Sequence, residues 1–267
     1  MNLMMRILFF LTMMVSLPAW GQGQVLKRKI EKRYNSNGQL ATQVISDFDR
    51  SGFMIKRSVL DAIGQMLGYH TYTNDSIGMV LIDSGYNKKL ELDEIWIFEY
   101  DKNNNIIKQT REYPLRGDTY IEFYEITYDS ENNVVEEKQY DKEMELDWVY
   151  NYEYNNENRR TRYTSRFKGT IRNEITYAYK KGLKIEEFLY DYENKELRKR
   201  ENTLYFFKYN KSGLLLKKTA RSVAEHLPRE IINEYKYYYN KKGDLISEVR
   251  YEDGKVDRKE TYEYTYW

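Results

Sequence analysis

The chain has 267 residues, of which 41% are hydrophobic, 32% charged and 16% aromatic, enough apolar material to bury a core and too much for a disordered tail. Its 28 Tyr against 3 Pro and 14 Gly favour strands over an all-helical fold, because aromatic side chains suit a pleated, half-buried surface. A formal charge of +1 without long blocks of like charge gives a nucleic-acid partner no electrostatic footing, and the lack of Cys removes disulfides, thiolate metal sites and cysteine nucleophiles together.

The first element is an address. Arg6 precedes the apolar run Ile7 to Val15, and small residues at Ala19 and Gly21 stand where a signal peptidase needs them. This layout predicts a signal peptide over residues 1–21 and a single β-hairpin repeat domain over 22–267. An uncleaved anchor is the alternative, but the run falls short of the ~20 apolar residues that span a bilayer. A cysteine-free exported chain fits a bacterial envelope, as a periplasmic, surface-associated or secreted protein.

A repeated phrase then organises the chain: Tyr, Asp or Asn, two variable residues, Gly or Asn, and an apolar residue two further on. It stands at Tyr34 to Leu40, Tyr100 to Ile106, Tyr128 to Val134, Tyr209 to Leu215 and Tyr239 to Leu245, with weaker copies beginning at Phe48, Leu60, Tyr140, Tyr154 and Tyr179. The physical reading is a hairpin turn, in which the Asp or Asn side chain caps the turn and the Gly or Asn accepts positive φ. Anchors at Tyr100, Tyr128, Tyr154, Tyr179, Tyr209 and Tyr239 alternate with a second set at Leu60, Tyr86, Tyr113, Tyr140 and Phe167. One repeat of about 27 residues is therefore strand, turn, strand, turn, with strands of ~9 residues. Pro114 and Pro228 both fall where second-set turns are due. The glycine-bearing segment from Leu60 to Gly85 predicts a distorted early repeat.

In the strands that lead into the first-set turns, alternate residues are aromatic: Trp96, Phe98, Tyr100; Tyr124, Tyr128; Tyr150, Tyr152, Tyr154; Tyr177, Tyr179; Tyr205, Phe207, Tyr209; Tyr235, Tyr237, Tyr239; and Tyr262, Tyr264, Tyr266. Their neighbours are mostly polar, so the sheet has an aromatic and a polar face. The fold class is all-β, with long antiparallel hairpins forming a curled sheet, shell or closed barrel-like array. The aromatic ladder reads first as core packing. Its functional reading is a platform on which sugars stack, with Tyr152, Tyr154, Tyr177, Tyr179, Tyr237 and Tyr239 as the candidate positions.

The phrase Tyr-Asp-x-x-Gly-x-Leu, with a second Tyr two positions earlier at Tyr152 and Tyr237, resembles the YD repeats of Rhs-type and teneurin-like surface proteins over most of residues 34 to 266. The resemblance implies an exported protein built of antiparallel hairpins that spiral into a shell.

No nucleophile-elbow, phosphate-loop or dinucleotide fingerprint is present. His70 and His226 read as surface or turn residues, and runs such as Glu136-Glu137-Lys138 and Arg159-Arg160 as a solvated face of cross-strand pairs. The sequence thus predicts no catalytic, cofactor-binding or metal-binding residue and no enzyme. It predicts an exported envelope or surface protein, a binding or structural module with a glycan or an envelope protein as partner. An outer-membrane β-barrel is the alternative and a glycan-active enzyme the third reading. Membrane insertion is disfavoured, because the residues sharing the parity of Trp267, namely Thr265, Glu263 and Thr261, suit lipid poorly.

Overall fold

A computed structural model describes residues 25–193, 198–224 and 231–267. The expected signal segment and His226 and Pro228 lie outside them. The described chain is a single antiparallel meander of eighteen strands: β1 (Leu26–Tyr34), β2 (Leu40–Phe48), β3 (Met54–Asp61), β4 (Met66–Asn74), β5 (Val80–Asn87), β6 (Leu92–Tyr100), β7 (Ile106–Tyr113), β8 (Asp118–Tyr128), β9 (Val134–Tyr140), β10 (Leu146–Tyr154), β11 (Arg160–Phe167), β12 (Thr170–Lys180), β13 (Leu183–Glu193), β14 (Arg198–Tyr209), β15 (Leu215–Ala224), β16 (Ile231–Tyr239), β17 (Leu245–Glu252) and β18 (Lys255–Tyr266). Every strand pairs with its sequence neighbours, and β1 pairs with both β2 and β18, so the sheet closes into an up-and-down barrel. The seam is fastened at the chain ends, where the Trp267 amide donates to the Val25 carbonyl and its indole to the Asp49 carbonyl.

Turn chemistry sets this path. At Asp49 the carboxylate accepts the Ser51 amide at 2.8 Å and the Phe53 amide at 3.0 Å, while Gly52 takes φ 86° and closes the loop. The same arrangement recurs at Asn35, Asp61, Asp75, Asn87, Asp101, Asp129, Asp141, Asn155, Asn210 and Asn240. Later turns at Lys181-Gly182 and Asp253-Gly254 instead place two residues at positive φ, the mark of a two-residue hairpin. Pro114 lies in the turn between β7 and β8, as expected. The turns expected at the first-set anchors share one rim with the chain termini, here the proximal rim, and the second set forms the distal rim.

The expected distortion between Leu60 and Gly85 is not found. β3, β4 and β5 pair along their length with one register shift beside each turn, at Val59/Leu60 and Thr73/Asn74, as nearly every hairpin of the sheet has, and Gly68 and Gly85 answer to crowding. A Cβ at Gly68 would stand 2.7 Å from the Tyr86 carbonyl oxygen, and one at Gly85 would stand 2.8 Å from the Glu94 side chain.

Closure separates an outward face from an inward one. The outward face carries cross-strand ion pairs around the circumference, including Arg28–Asp47, Lys32–Glu263, Lys108–Glu99, Arg162–Glu174 and Lys217–Glu234. The aromatic ladder turns inward. Tyr72, Phe98, Tyr150 and Tyr163 are buried there, while Trp96, Trp148, Tyr152, Tyr177 and Tyr237 stay half-buried. Among the described residues each strand's backbone lies against only its two ladder neighbours. Inner rings such as Trp148 and Tyr152 keep accessible surface, in line with a barrel of eighteen strands, whose interior is wider than side chains fill.

Candidate functional site: the lumen wall

The inner face differs from a purely aromatic one. Strands that run toward the proximal rim supply the rings, and the strands returning from it supply charged and amide groups that lie among them. On β10 the inward residues are Trp148, Tyr150, Tyr152 and Tyr154; opposite them on β9 stand Gln139 and Glu137, and on β11 Phe167, Ser165, Tyr163 and Arg160. The same alternation sets Glu187 against Tyr177 and Tyr205, Lys218 against Phe207 and Tyr235, and Glu248 against Tyr237 and Glu260.

Cations settle over the rings from these intervening strands. Lys218 Nζ lies 4.1 Å from the Tyr205 centroid, Lys184 4.6 Å from Phe207, Lys29 4.7 Å from Tyr262, and the Arg111 guanidinium 4.1 Å from Trp96. Burial lowers the Lys29 and Lys218 ammonium pKa values, since a partly dry wall disfavours charge.

Between β7 and β12 the wall forms its most continuous ring surface. Trp148 and Tyr150 stack with centroids 5.9 Å apart, Tyr150 meets Tyr163 at 6.3 Å, and Tyr152 meets Tyr163 at 5.5 Å. Polar groups are set along it. The Tyr124 hydroxyl donates to Glu122 at 2.8 Å, and Gln109 donates to the same carboxylate oxygen at 3.2 Å. The Tyr150 hydroxyl donates to the Gln139 side-chain oxygen at 3.2 Å, and the Tyr152 hydroxyl lies 3.4 Å from Glu137. Burial pushes the Glu137 carboxyl pKa up, opposed only by that phenol, and pushes the Tyr163 and Tyr177 phenols to about 12.

The six candidate platform tyrosines all face the lumen but do not form one surface. Tyr152, Tyr154, Tyr177 and Tyr179 share a patch across β10 to β12, whereas Tyr237 and Tyr239 on β16 are four ladder steps further round, roughly 19 Å along the wall. Three have their hydroxyls engaged by backbone: Tyr154 donates to the Val134 carbonyl, Tyr179 to Arg160 and Tyr239 to Leu215. Tyr152 presents its ring beside Glu137, and Tyr237 faces Glu248, whose carboxyl pKa is raised by burial and then by Glu260.

Two readings of charged residues need correction. Glu136 and Lys138 do point outward and pair at 3.0 Å, but Glu137 between them points into the lumen, and so does Arg160. His70 is neither a turn nor a plain surface residue. It stands within β4 on the inner face, with Nδ1 2.7 Å from Asp83 and Nε2 3.9 Å from Glu94, and Glu94 is in turn held by Arg111 at 2.6 Å. Among the described residues no group of His, Asp and Glu could hold a metal ion.

No protein-family model matches the sequence, and no curated protein matches it. Solved structures align with it at low identity and low TM-score. A porin-like protein from Bacteroides uniformis aligns with TM-score 0.47 at 9% identity over 90% of this chain and 98% of that one. The TcdB2-TccC3-TEV structure aligns with TM-score 0.31 at 13% identity over 87% of this chain and 14% of that one. A candidate lipoprotein from Parabacteroides distasonis aligns with TM-score 0.26 at 11% identity over 91% of this chain and 96% of that one.

Proposed function

We propose that the chain is an exported envelope protein of YD-repeat-like build whose barrel is a binding module that takes carbohydrate on the aromatic wall of its lumen. The observation that carries this reading is the stretch from β7 to β12, where half-buried rings at Tyr124, Trp148 and Tyr152 stand beside carboxylate and carboxamide groups. Sugars present alternating apolar C–H faces and hydroxyl edges, so they are bound by rings for the first and by fixed acceptors and donors for the second. The proposal assigns binding and no catalysis. Export is supported by the pattern of residues 1–21.

A barrel surrounded by water is favoured over one set in lipid. Arg or Lys on a lipid face costs ~2–4 kcal/mol at the bilayer midplane, and the outward face carries Arg28, Lys32, Lys108, Arg162 and Lys217. The test is a glycan array probed with the exported chain, followed by titration of the Trp148→Ala variant. Binding that falls by about tenfold or more in a variant that still melts cooperatively supports the lumen as the site. An array without any glycan signal, or binding untouched by the substitution, overturns it.

A further inference from the structure

The two rims of the barrel close their turns differently. At the proximal rim the residue of positive φ that closes each Asp- or Asn-capped turn is Gly or Asn throughout the described residues, as at Gly52 and Asn132, and these types suffer least in that conformation. At the distal rim the same position holds Gly38 and Gly64 but also Leu90 at φ 66° and Met144 at φ 63°. A bulky side chain in the left-handed region is costly, and packing does not repay it here, since both side chains are exposed. Neighbouring distal turns reach the same result by other means: Leu115 follows Pro114, and Ile63 stands one place before Gly64. Four successive distal turns, from β3 and β4 round to β9 and β10, thus each carry one aliphatic side chain that is 56% to 79% exposed. The other described distal turns, at Ser36-Asn37, Lys168-Gly169 and Asp253-Gly254, carry none.

The tips of these four turns are also predominantly cationic. Lys88 and Lys89 precede Leu90, Arg116 follows Leu115, and Lys142 stands two places before Met144, all of them exposed. Glu143, paired with Lys142 at 3.3 Å, is the carboxylate among them. Asp61, Glu91, Asp141 and Glu145 sit back at the bases of the turns, where their backbones close the loops. Adjacent distal turns are two ladder steps apart, about 10 Å, so the aliphatic residues form separate prongs with cations beside them along roughly 30 Å of rim. A protein interface draws on a contiguous apolar core, which prongs at this spacing do not offer. A lipid surface receives each prong separately and presents phosphates to the cations next to it. We propose that the distal rim from Ile63 to Met144 seats on the surface of a phospholipid bilayer with anionic headgroups, with Ile63, Leu90, Leu115 and Met144 inserted and Lys88, Lys89, Arg116 and Lys142 at the phosphates. The barrel itself stays outside the hydrocarbon, as its charged outward face requires.

The experiment is flotation of the exported chain with vesicles of phosphatidylcholine alone or of phosphatidylcholine with phosphatidylglycerol. Both are free of glycolipid, which keeps the result independent of the carbohydrate reading. The parent chain is expected to float with the anionic vesicles, less with the zwitterionic ones, and less at high salt. Leu90→Asn combined with Met144→Asn installs the residue type that closes the proximal turn at Asn132, and it is expected to lower the partition coefficient by at least about tenfold without lowering the melting temperature. Ile77→Ser removes an exposed aliphatic residue from a tip of the opposite rim and is expected to leave the partition coefficient unchanged. No flotation of the parent, or flotation that the double variant leaves intact, overturns the proposal. Equal loss in Ile77→Ser overturns it by placing the contact elsewhere, and equal flotation with both vesicle types overturns it by leaving the cations without a role. A parent that stays off the vesicles as a dimer, which the double variant dissociates, would assign the rim to a second copy of the chain instead.

Discussion

The hydroxyl of Tyr154 donates to the carbonyl oxygen of Val134, 3.0 Å away at the start of β9, the strand that closes the preceding proximal hairpin. The relationship repeats: Tyr100 donates to Val80, Tyr179 to Arg160, Tyr239 to Leu215 and Tyr264 to Leu245, and Asn74 does the same with its amide to Met54. Most of these acceptors lie where a bulge interrupts the ladder just past a proximal turn, as Val134 does opposite Tyr128 and Arg160 opposite Tyr154. The repeated Tyr is therefore a tie from one hairpin to the one before it, which explains a phenol where a phenylalanine would pack as well.

Replacing that hydroxyl isolates the tie. Tyr154→Phe keeps the ring and loses one hydrogen bond, and it is expected to cost about 1 kcal/mol in denaturant unfolding. Tyr140→Phe serves as the contrast, because its hydroxyl reaches only the exposed Glu125 carboxylate at 2.8 Å. Equal stability of the two variants would show that the backbone tie contributes nothing beyond packing.

A second prediction concerns a turn that lacks its glycine. Met144 occupies the closing position of the turn between β9 and β10 at φ 63°, with its side chain exposed. A non-glycine residue there pays a steric penalty of ~1–2 kcal/mol, part of which glycine returns as lost chain entropy. Met144→Gly is accordingly expected to stabilise the chain by about 0.5–1 kcal/mol with the denaturant slope unchanged. Loss of stability would mean that the exposed Met144 side chain makes a contact worth more than the strain.

The architecture was legible because its signals are local. Asp49 or Asn155 and a residue of positive φ three positions on define each turn without reference to anything distant, and the spacing of anchors such as Tyr128 and Tyr154 then fixes strand length. The inner face of the returning strands was not legible in the same way. Bulges beside the proximal turns, as between Thr127 and Tyr128, shift the pairing register, so that Glu137 points inward from between outward-facing Glu136 and Lys138. Closure was likewise out of reach, since it depends on β1 meeting β18 and on Trp267 reaching Val25 and Asp49 across nearly the whole chain. His70 was misread for a related reason. Its partners Asp83 and Glu94 sit on the next two strands, and only the register brings them together.

The His70 cluster predicts a pH dependence. The hydrogen bond to Asp83 is the largest cause holding the imidazole pKa above its ordinary value; burial and Arg57 oppose it, and the Asp83 and Glu94 charges add to it. A group whose folded pKa is raised in this way contributes stability that is fully present below its unfolded value of ~6.5 and is lost as pH rises through the folded one. Asp83→Asn should therefore cost on the order of 1 kcal/mol at pH 6 and much less at pH 9. Titration of the His70 imidazole by NMR should place its midpoint above 6.5. A midpoint below that value would remove the basis of the prediction.

Glu136 and Glu137 give the sharpest contrast, because adjacent carboxylates on opposite faces of β9 should respond to pH with opposite sign. Glu136 accepts from Lys138 and Asn151, and its pKa is held below the ordinary range by the Lys138 hydrogen bond. Its contribution is present above its unfolded pKa and is lost as pH falls through the folded one, and an exposed pair of this kind contributes at most about 1 kcal/mol. Glu137 is raised by burial, so its ionised form opposes folding: the penalty is absent in acid and develops as pH rises above the unfolded pKa toward the folded one. Glu137→Gln should therefore raise the melting temperature at pH 8 and leave it nearly unchanged at pH 4, whereas Glu136→Gln should lower it slightly at pH 8. Melting curves of the two variants and the parent at both values decide the matter. If Glu137→Gln is destabilising at pH 8, the ionised carboxylate is already compensated within the chain and burial does not set the sign of its contribution.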